Sequence, residues 1–255
     1  MHLPVKFLLL SLLFLSALPP IWRLSYKWKR IPNLPSRWRD RVVARYQRIG
    51  TNSWAFSFWK LRLDPLCDQL HAFLDGQGSV RTALDIGCGY GIPGCSLLEW
   101  FPEVTVFGID PMARRVKVAM SAFAGRGYAV QKAAPDIDVP SFPPVFDVVF
   151  MIDVIHFLSE EELDETLQKI HSKLGAEGQL FVRAIMFPQS RRSIIWNLEH
   201  IKQRLRRKRL YYRSIDSIRS KFNACGFNLE EGGRFDGDPE MTWFISRSRQ
   251  YPAAK

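Results

Sequence analysis

A chain of 255 residues that is 47% apolar has ample material for a hydrophobic core, as one large domain or a domain with extensions. Its four cysteines, Cys67, Cys88, Cys95 and Cys225, show neither paired nor metal-ligand spacing, which argues against a disulfide framework or a metal centre and for reduced thiols. The net charge of +11 is unevenly placed: residues 1–60 carry eleven Lys/Arg against one acid, residues 61–186 ten against seventeen, and residues 187–255 fifteen against seven. An acidic middle thus sits between two basic flanks, which must meet something anionic or be solvated.

Residues 7–18 (FLLLSLLFLSAL) form an uncharged, almost wholly apolar run, closed by Pro19 and Pro20. The run is short against the roughly 20 apolar residues of a membrane-spanning helix. Three readings compete. A secretory signal would have only Lys6 before the run and no A-x-A cleavage site. Arg23, Lys27, Lys29 and Arg30 follow at once, where positive charge opposes translocation. A core helix would need a pocket that the rest of the sequence does not visibly provide. A membrane anchor or half-inserted helix fits the flanking Trp22, Tyr26 and Trp28 and the basic residues at its cytoplasmic end. The anchor reading places the chain on the cytoplasmic face of a membrane, the inner membrane in a bacterium.

Residues 37–49 carry Trp38, Val42, Tyr46 and Ile49 as one helical stripe, surrounded by Arg37, Arg41, Arg45 and Arg48. Such a helix suits an anionic headgroup layer, and equally a packed position on a domain with its basic face solvated. Residues 1–60 are accordingly read as membrane-associating hydrophobic and basic helices. Residues 61–255 are read as one α/β domain with a basic insertion at 188–213.

From Asp64 the pattern becomes regular. Asp64-Pro65 starts a helix with the stripe Leu66, Leu70, Phe73 and Leu74, and Gly76 ends it. A strand at 82–86 runs into the turn Gly87-Cys88-Gly89-Tyr90-Gly91, followed by a helix near 92–101 with Pro93 in its first turn. A strand at 104–109, a helix at 112–124 and a strand near 128–133 follow, then a proline-rich loop to Pro144. The strand at 146–152 is an apolar run, as expected of a parallel strand covered on both faces. Ser159 and Glu162 form a capping box, Leu163, Leu167, Ile170 and Leu174 make that helix's buried face, and Gly175 and Gly178 close it. Strand 179–187, helix 215–225, and strands 227–231 and 241–245 complete the alternation. The pattern predicts an α/β, Rossmann-like doubly wound sheet of seven strands, mostly parallel with an antiparallel last strand.

In such a sheet ligands bind beyond the carboxyl ends of the strands, where Ala83-Leu84-Asp85-Ile86-Gly87-Cys88-Gly89-Tyr90-Gly91 lies. Glycines there permit positive-φ turns and close backbone approach, and the helix after Gly91 directs its positive end at the same spot. Asp110, ending the second strand, is placed to accept two hydrogen bonds from a ribose diol. These features fit a dinucleotide as well as S-adenosylmethionine, but a G-x-G-x-x-G fingerprint would need glycine at 92, where this chain has Ile92. The segments LDIGCGYG, VFGID and FDVVFMIDVIHFL resemble motifs of class I S-adenosylmethionine-dependent methyltransferases, especially those acting on small molecules, lipids and quinones. The resemblance covers about residues 65–187 and the closing helix and hairpin.

That resemblance implies S-adenosylmethionine as cofactor, with Asp85, Gly87, Gly89 and Gly91 around its methionine end and Asp110 on the ribose. It implies that Met112 flanks the adenine and that Met151 and Asp153 lie beneath the cofactor near the sulfonium. The family's acidic residue after the third strand is displaced here, in Ala133-Ala134-Pro135-Asp136, so Asp136 is expected to meet the adenine amino group. Because the sulfonium already activates the methyl group, the protein mainly aligns a nucleophile and excludes water. A hydroxyl acceptor must also lose a proton, and His156, just past the fourth strand, is the candidate base beside Asp153; a packing role for His156 is equally compatible. The N/D-P-P-Y/F tetrapeptide of base and amide N-methyltransferases is absent, with Met151-Ile152-Asp153-Val154 in its place, which favours oxygen over such nitrogens.

The second basic flank, 188–213, holds nine Lys/Arg and the stripe Ile194, Leu198, Ile201 and Leu205. It is read as a lid over the acceptor side with a second membrane contact; a nucleic-acid clamp or a helix packed on the sheet would carry the same pattern. The expected partners are a small or lipid-linked hydrophobic acceptor (polyene, polyketide, quinone or lipid) and an anionic membrane surface. An RNA methyltransferase and a non-catalytic, cofactor-binding assembly partner are the alternatives, the former opposed by the apolar run at 7–18.

Overall fold

The computed structural model of the chain describes residues 36–75, 79–186, 209–231 and 241–248. The apolar run at 7–18, the residues joining it to 35, Gly76, and the stripe Ile194, Leu198, Ile201 and Leu205 lie outside the described residues. Among the described residues, no helix is long and apolar enough to cross a membrane.

The seven expected strands are present: β1 (Thr82–Ile86), β2 (Thr105–Asp110), β3 (Gly127–Gln131), β4 (Phe146–Ile152), β5 (Leu174–Ile185), β6 (Phe227–Glu231) and β7 (Met241–Ser248). They form one sheet in the order β3-β2-β1-β4-β5-β7-β6. Strands β1 to β5 pair with one another only in parallel, while β7 runs antiparallel to both β5 and β6, as the alternation required. Strand order reverses between β1 and β4, so the crevice of the sheet opens at their carboxyl ends. The end of β3 at Gln131 and the start of β5 at Leu174 depart from expectation. Leu174 pairs with Phe146 and Gln179 with Val148, so residues 175–178 bulge out between them, and Gly175 and Gly178 belong to a bulged strand rather than to a helix end.

Helices cover both faces. One face carries α1 (Trp38–Gln47), α2 (Thr51–Leu63), α3 (Leu66–Leu74), α4 (Ile92–Trp100) and α5 (Ala113–Phe123); the other carries α6 (Glu160–Lys173) and α7 (Ile215–Ala224). From Val148 side chains alternate along β4: Val148 and Phe150 join the first core, and Val149 and Met151 the second, which Phe146 also joins on the other side of a register shift. The α6 capping box is formed, with Glu162 N–H donating to Ser159 and Ser159 N–H donating to Glu162.

The basic helix α1 takes the packed alternative. Val42, Val43 and Tyr46 are buried in the core shared with the sheet. Arg41 and Arg45 both grip Glu99 of α4, at 2.7 Å, instead of facing an anionic layer. Burial opposes ionisation of Glu99, but the hydrogen bonds from Arg41 and Arg45 outweigh it and hold its carboxyl below the usual range. Helix α2 runs across residues 60 and 61, where the two parts of the chain were expected to meet. Its sequence shows no single stripe because it is clasped between α1 and the glycine turn: Trp54, Ala55 and Leu61 are buried, and Phe56 meets the ring of Tyr90 edge-on at 5.1 Å. Residues 38–63 therefore share the core of the α/β domain.

Candidate active site

The glycine turn after β1 is bound to β2 by hydrogen bonds from Gly87 N–H and Cys88 N–H to the Ile109 carbonyl, at 2.8 and 2.9 Å. Gly87, Gly89 and Gly91 all have positive φ, at 76°, 56° and 76°. At Gly87 a Cβ would lie 2.4 Å from a methyl of Val154, so the turn can approach the end of β4 only without a side chain there. At Gly89 a Cβ would meet nothing nearer than 4.0 Å; the space before this glycine is open. Helix α4 begins directly behind, with Gly91 as its N-cap.

Two carboxylates define the floor of this turn. Asp85, paired between Gly108 and Phe150 in the sheet, is 1% exposed, and its Oδ2 has no hydrogen-bond partner. Burial, reinforced by the charge of Asp110, pushes its pKa up to about 7. Asp110 is also buried, and its two oxygens accept from Gly89 N–H at 3.1 Å and Met112 N–H at 2.8 Å. Asp110 thereby ties the glycine turn to the start of α5, and each oxygen retains lone-pair capacity toward a diol. Arg115 lies 3.7 Å away and is half exposed.

The walls come from three places. Tyr46 of α1 donates its hydroxyl to the Tyr90 carbonyl at 2.8 Å, so the first helix fastens the glycine turn directly. Met112, at the α5 N-cap, is 45% exposed on the rim. Beyond β4, Asp153 takes a left-handed conformation with φ of 58°. Arg183 of β5 binds it through Nε at 3.0 Å and Nη2. The same guanidinium binds Asp64, between α2 and α3, at 2.6 and 2.9 Å, and Lys60 bonds Asp64 from the other side. Burial would neutralise Asp64, but the Arg183 and Lys60 charges prevail and hold it well below the carboxylate range. Neither Lys60 nor the Asp64–Arg183 contact was expected from sequence. The one local signal was an aspartate before a proline, which here accepts Leu66 N–H at 2.9 Å while also holding a distant arginine.

Three expected residues stand differently. Met151 is fully buried in the second core with Leu84 and Ile86, on the sheet face opposite Asp85, because residues one apart on a strand face opposite ways. Asp136 is exposed and paired with Lys132 at 2.6 Å, an i,i+4 contact that satisfies it locally. His156 lies in a short 3-10 turn, Ile155–Phe157, and is only 5% exposed, its ring 4.2 Å from Phe157 and stacked under Tyr212 at 6.4 Å. The segment 209–214 thus covers the residue expected at an open edge, and Tyr211 N–H donates to the His156 carbonyl at 2.8 Å. All four cysteines are free, and among the described residues no His/Cys/Asp/Glu group could hold a metal ion.

Residues 84–180 match the family model described as a methyltransferase domain. No curated protein matches the chain. Among solved structures, a S-adenosylmethionine-dependent methyltransferase from Clostridium acetobutylicum is similar at 11% identity and a TM-score of 0.57, over 77% of this chain and 98% of that one. The mitomycin 7-O-methyltransferase MmcR is similar at 17% identity and a TM-score of 0.57, over 84% of this chain and 61% of that one. Human N-acetylserotonin methyltransferase, solved with S-adenosylmethionine, is similar at 14% identity and a TM-score of 0.55, over 81% of this chain and 56% of that one. The chain therefore spans about three-fifths of the length of these last two proteins, and at such identities the likeness establishes the fold.

Proposed function

Because the chain carries a methyltransferase domain with the class I, S-adenosylmethionine-dependent fold, we propose that it is an enzyme that methylates a small, hydrophobic acceptor at oxygen. The observation that carries this reading is the unsatisfied Oδ2 of buried Asp85, at the end of the strand that leads into a glycine turn whose Gly89 faces open space. A buried carboxylate oxygen without a donor costs free energy that a ligand ammonium group would recover. The amino acid end of S-adenosylmethionine has that group, and its ribose has the diol that Asp110 can accept. When bound, the cofactor supplies a methyl group already activated by its sulfonium.

The chain's own residues then have limited tasks. Asp85 and the glycine turn hold the amino acid end, Asp110 the ribose, and Met112 covers the base. Tyr46 and Phe56 keep the turn in place from the α1–α2 side and close that side to water. His156 is proposed to take the acceptor proton; its cover by Tyr212 means that segment 209–214 must admit the acceptor before the ring can be reached. Asp153 is engaged by Arg183, so its part is to shape the end of β4 and not to move a proton. Oxygen as the acceptor atom is supported by the missing N/D-P-P-Y/F tetrapeptide and by a structural neighbour named as an O-methyltransferase.

Membrane association, on a cytoplasmic face, is part of the proposal and rests on residues 1–35 alone: an apolar run followed by a basic, aromatic stretch. The decisive experiment is mass spectrometry of lipids and pigments from a strain lacking the gene. Accumulation of a species lighter by one methylene, converted to the normal one by the purified protein with S-adenosylmethionine, is expected. Unchanged extracts and no methyl transfer to any extract component would overturn the reading.

A further inference from the structure

The network Lys60–Asp64–Arg183–Asp153 lies beside the cofactor turn without being part of it. Arg183 and Asp64 side chains are 4% and 2% exposed, Lys60 22% and Asp153 31%, so the network runs from the buried core to the rim. Two cations face two carboxylates, and the guanidinium binds both acids at once, a geometry that only arginine's planar fork provides. The cluster is charge-balanced, and nothing in it calls for a charged ligand.

Its consequence appears one residue further on. Asp153 has a left-handed backbone, a strained choice for a residue with a Cβ that persists only when surroundings enforce it. Two contacts from one residue enforce it: Asp153 N–H donates to the Arg183 carbonyl at 2.8 Å, and the Arg183 guanidinium holds the Asp153 carboxylate. The turn so fixed delivers Val154 onto Gly87, at a distance that leaves no room for a Cβ. Gly87 in turn leads into the open face of Gly89. Arg183 also reaches Asp64, which caps α3 through Leu66 N–H and ends α2, the helix whose Phe56 packs on Tyr90 at the far end of the same turn. The glycine turn is therefore braced at both ends by structures that meet at one guanidinium.

We infer that Arg183 is a positioning residue for the cofactor turn, acting through the Asp153–Val154 bend and the α2–α3 junction and not by touching the ligand. This rests on the methyltransferase reading and assigns a role to Arg183, which stands behind the Asp153 wall of that site.

The test measures the affinity of the full chain for S-adenosylmethionine and for S-adenosylhomocysteine by calorimetry, in R183M, R183K, D153N and R183M/D153N. R183M is expected to weaken both by roughly two- to thirtyfold, the range for residues that modulate a site without contacting its ligand. R183K, which keeps the charge but not the fork, should recover part of the loss. The losses in R183M and D153N should not add in the double variant, because each acts through the other. A purely structural Arg183 would lower the melting temperature while leaving the affinity of the folded protein at the wild-type value, and that result overturns the inference. Should R183M not fold, D153N carries the test: its side chain is at the exposed end of the network, and wild-type affinity there overturns the inference equally. Wild-type protein that binds neither compound would instead overturn the methyltransferase reading itself.

Discussion

Replacing Asp85 by asparagine isolates the most unusual electrostatic feature of the site. The carboxyl titrates near 7 instead of its ordinary value of 3.8, because burial penalises the charge and Asp110 repels it. Between those values the folded protein holds a proton that the unfolded chain has released, so stability falls as pH rises through this window. At about 1.4 kcal/mol per pH unit, the full interval amounts to about 4 kcal/mol, complete above pH 7 and absent below about pH 4. Asparagine keeps the shape and cannot titrate. Urea unfolding of both proteins from pH 4 to 8 should show the asparagine variant gaining on the wild type by about that amount as pH rises. The same physics predicts that S-adenosylmethionine, whose ammonium group favours the ionised carboxylate, displaces a proton when it binds near pH 6. Calorimetry in two buffers of different ionisation enthalpy reads that proton directly. Parallel stability curves for the two proteins, with no proton released on binding, would refute both the elevated titration of Asp85 and its part in holding the cofactor.

The other expectations concern single contacts. Asp110→Ala should weaken S-adenosylmethionine binding by ~1.5–3 kcal/mol, the worth of a hydrogen bond to a charged group, as read by calorimetry. Tyr46→Phe removes the hydroxyl that holds the Tyr90 carbonyl and should cost ~0.5–1.5 kcal/mol in urea unfolding, with protection of the glycine-turn amides falling in hydrogen exchange. His156→Ala should lower methyl transfer by ~10²–10⁴ with cofactor affinity nearly intact; wild-type turnover would leave the residue a packing role under Tyr212. Deleting residues 1–22 should leave a folded, cofactor-binding domain, since the described sheet and the helices packed on it lie between Trp38 and Ser248, and should weaken binding to anionic vesicles. Equal vesicle binding by the two forms would remove the anchor.

What the sequence determined by itself is local or periodic. Strand β4 was legible to the residue because seven consecutive mostly apolar residues fit a doubly covered parallel strand. The α6 start was legible because a capping box is made within four residues. The glycine turn, Asp85 next to the end of β1 and Asp110 at the end of β2 were legible because positive φ and strand-end position leave a mark on residue type. Met151 and His156 were placed correctly along the chain, but which way they face was not readable: one-residue alternation buries Met151, and a segment 55 residues later covers His156. Tertiary structure alone decided the fate of Arg41 and Arg45 of α1, since a basic helix looks the same whether it meets phosphates or the single Glu99. It alone joined Asp64 to Arg183, 119 residues apart, because an ion pair imposes no spacing on the sequence and forms only where folding removes both groups from water.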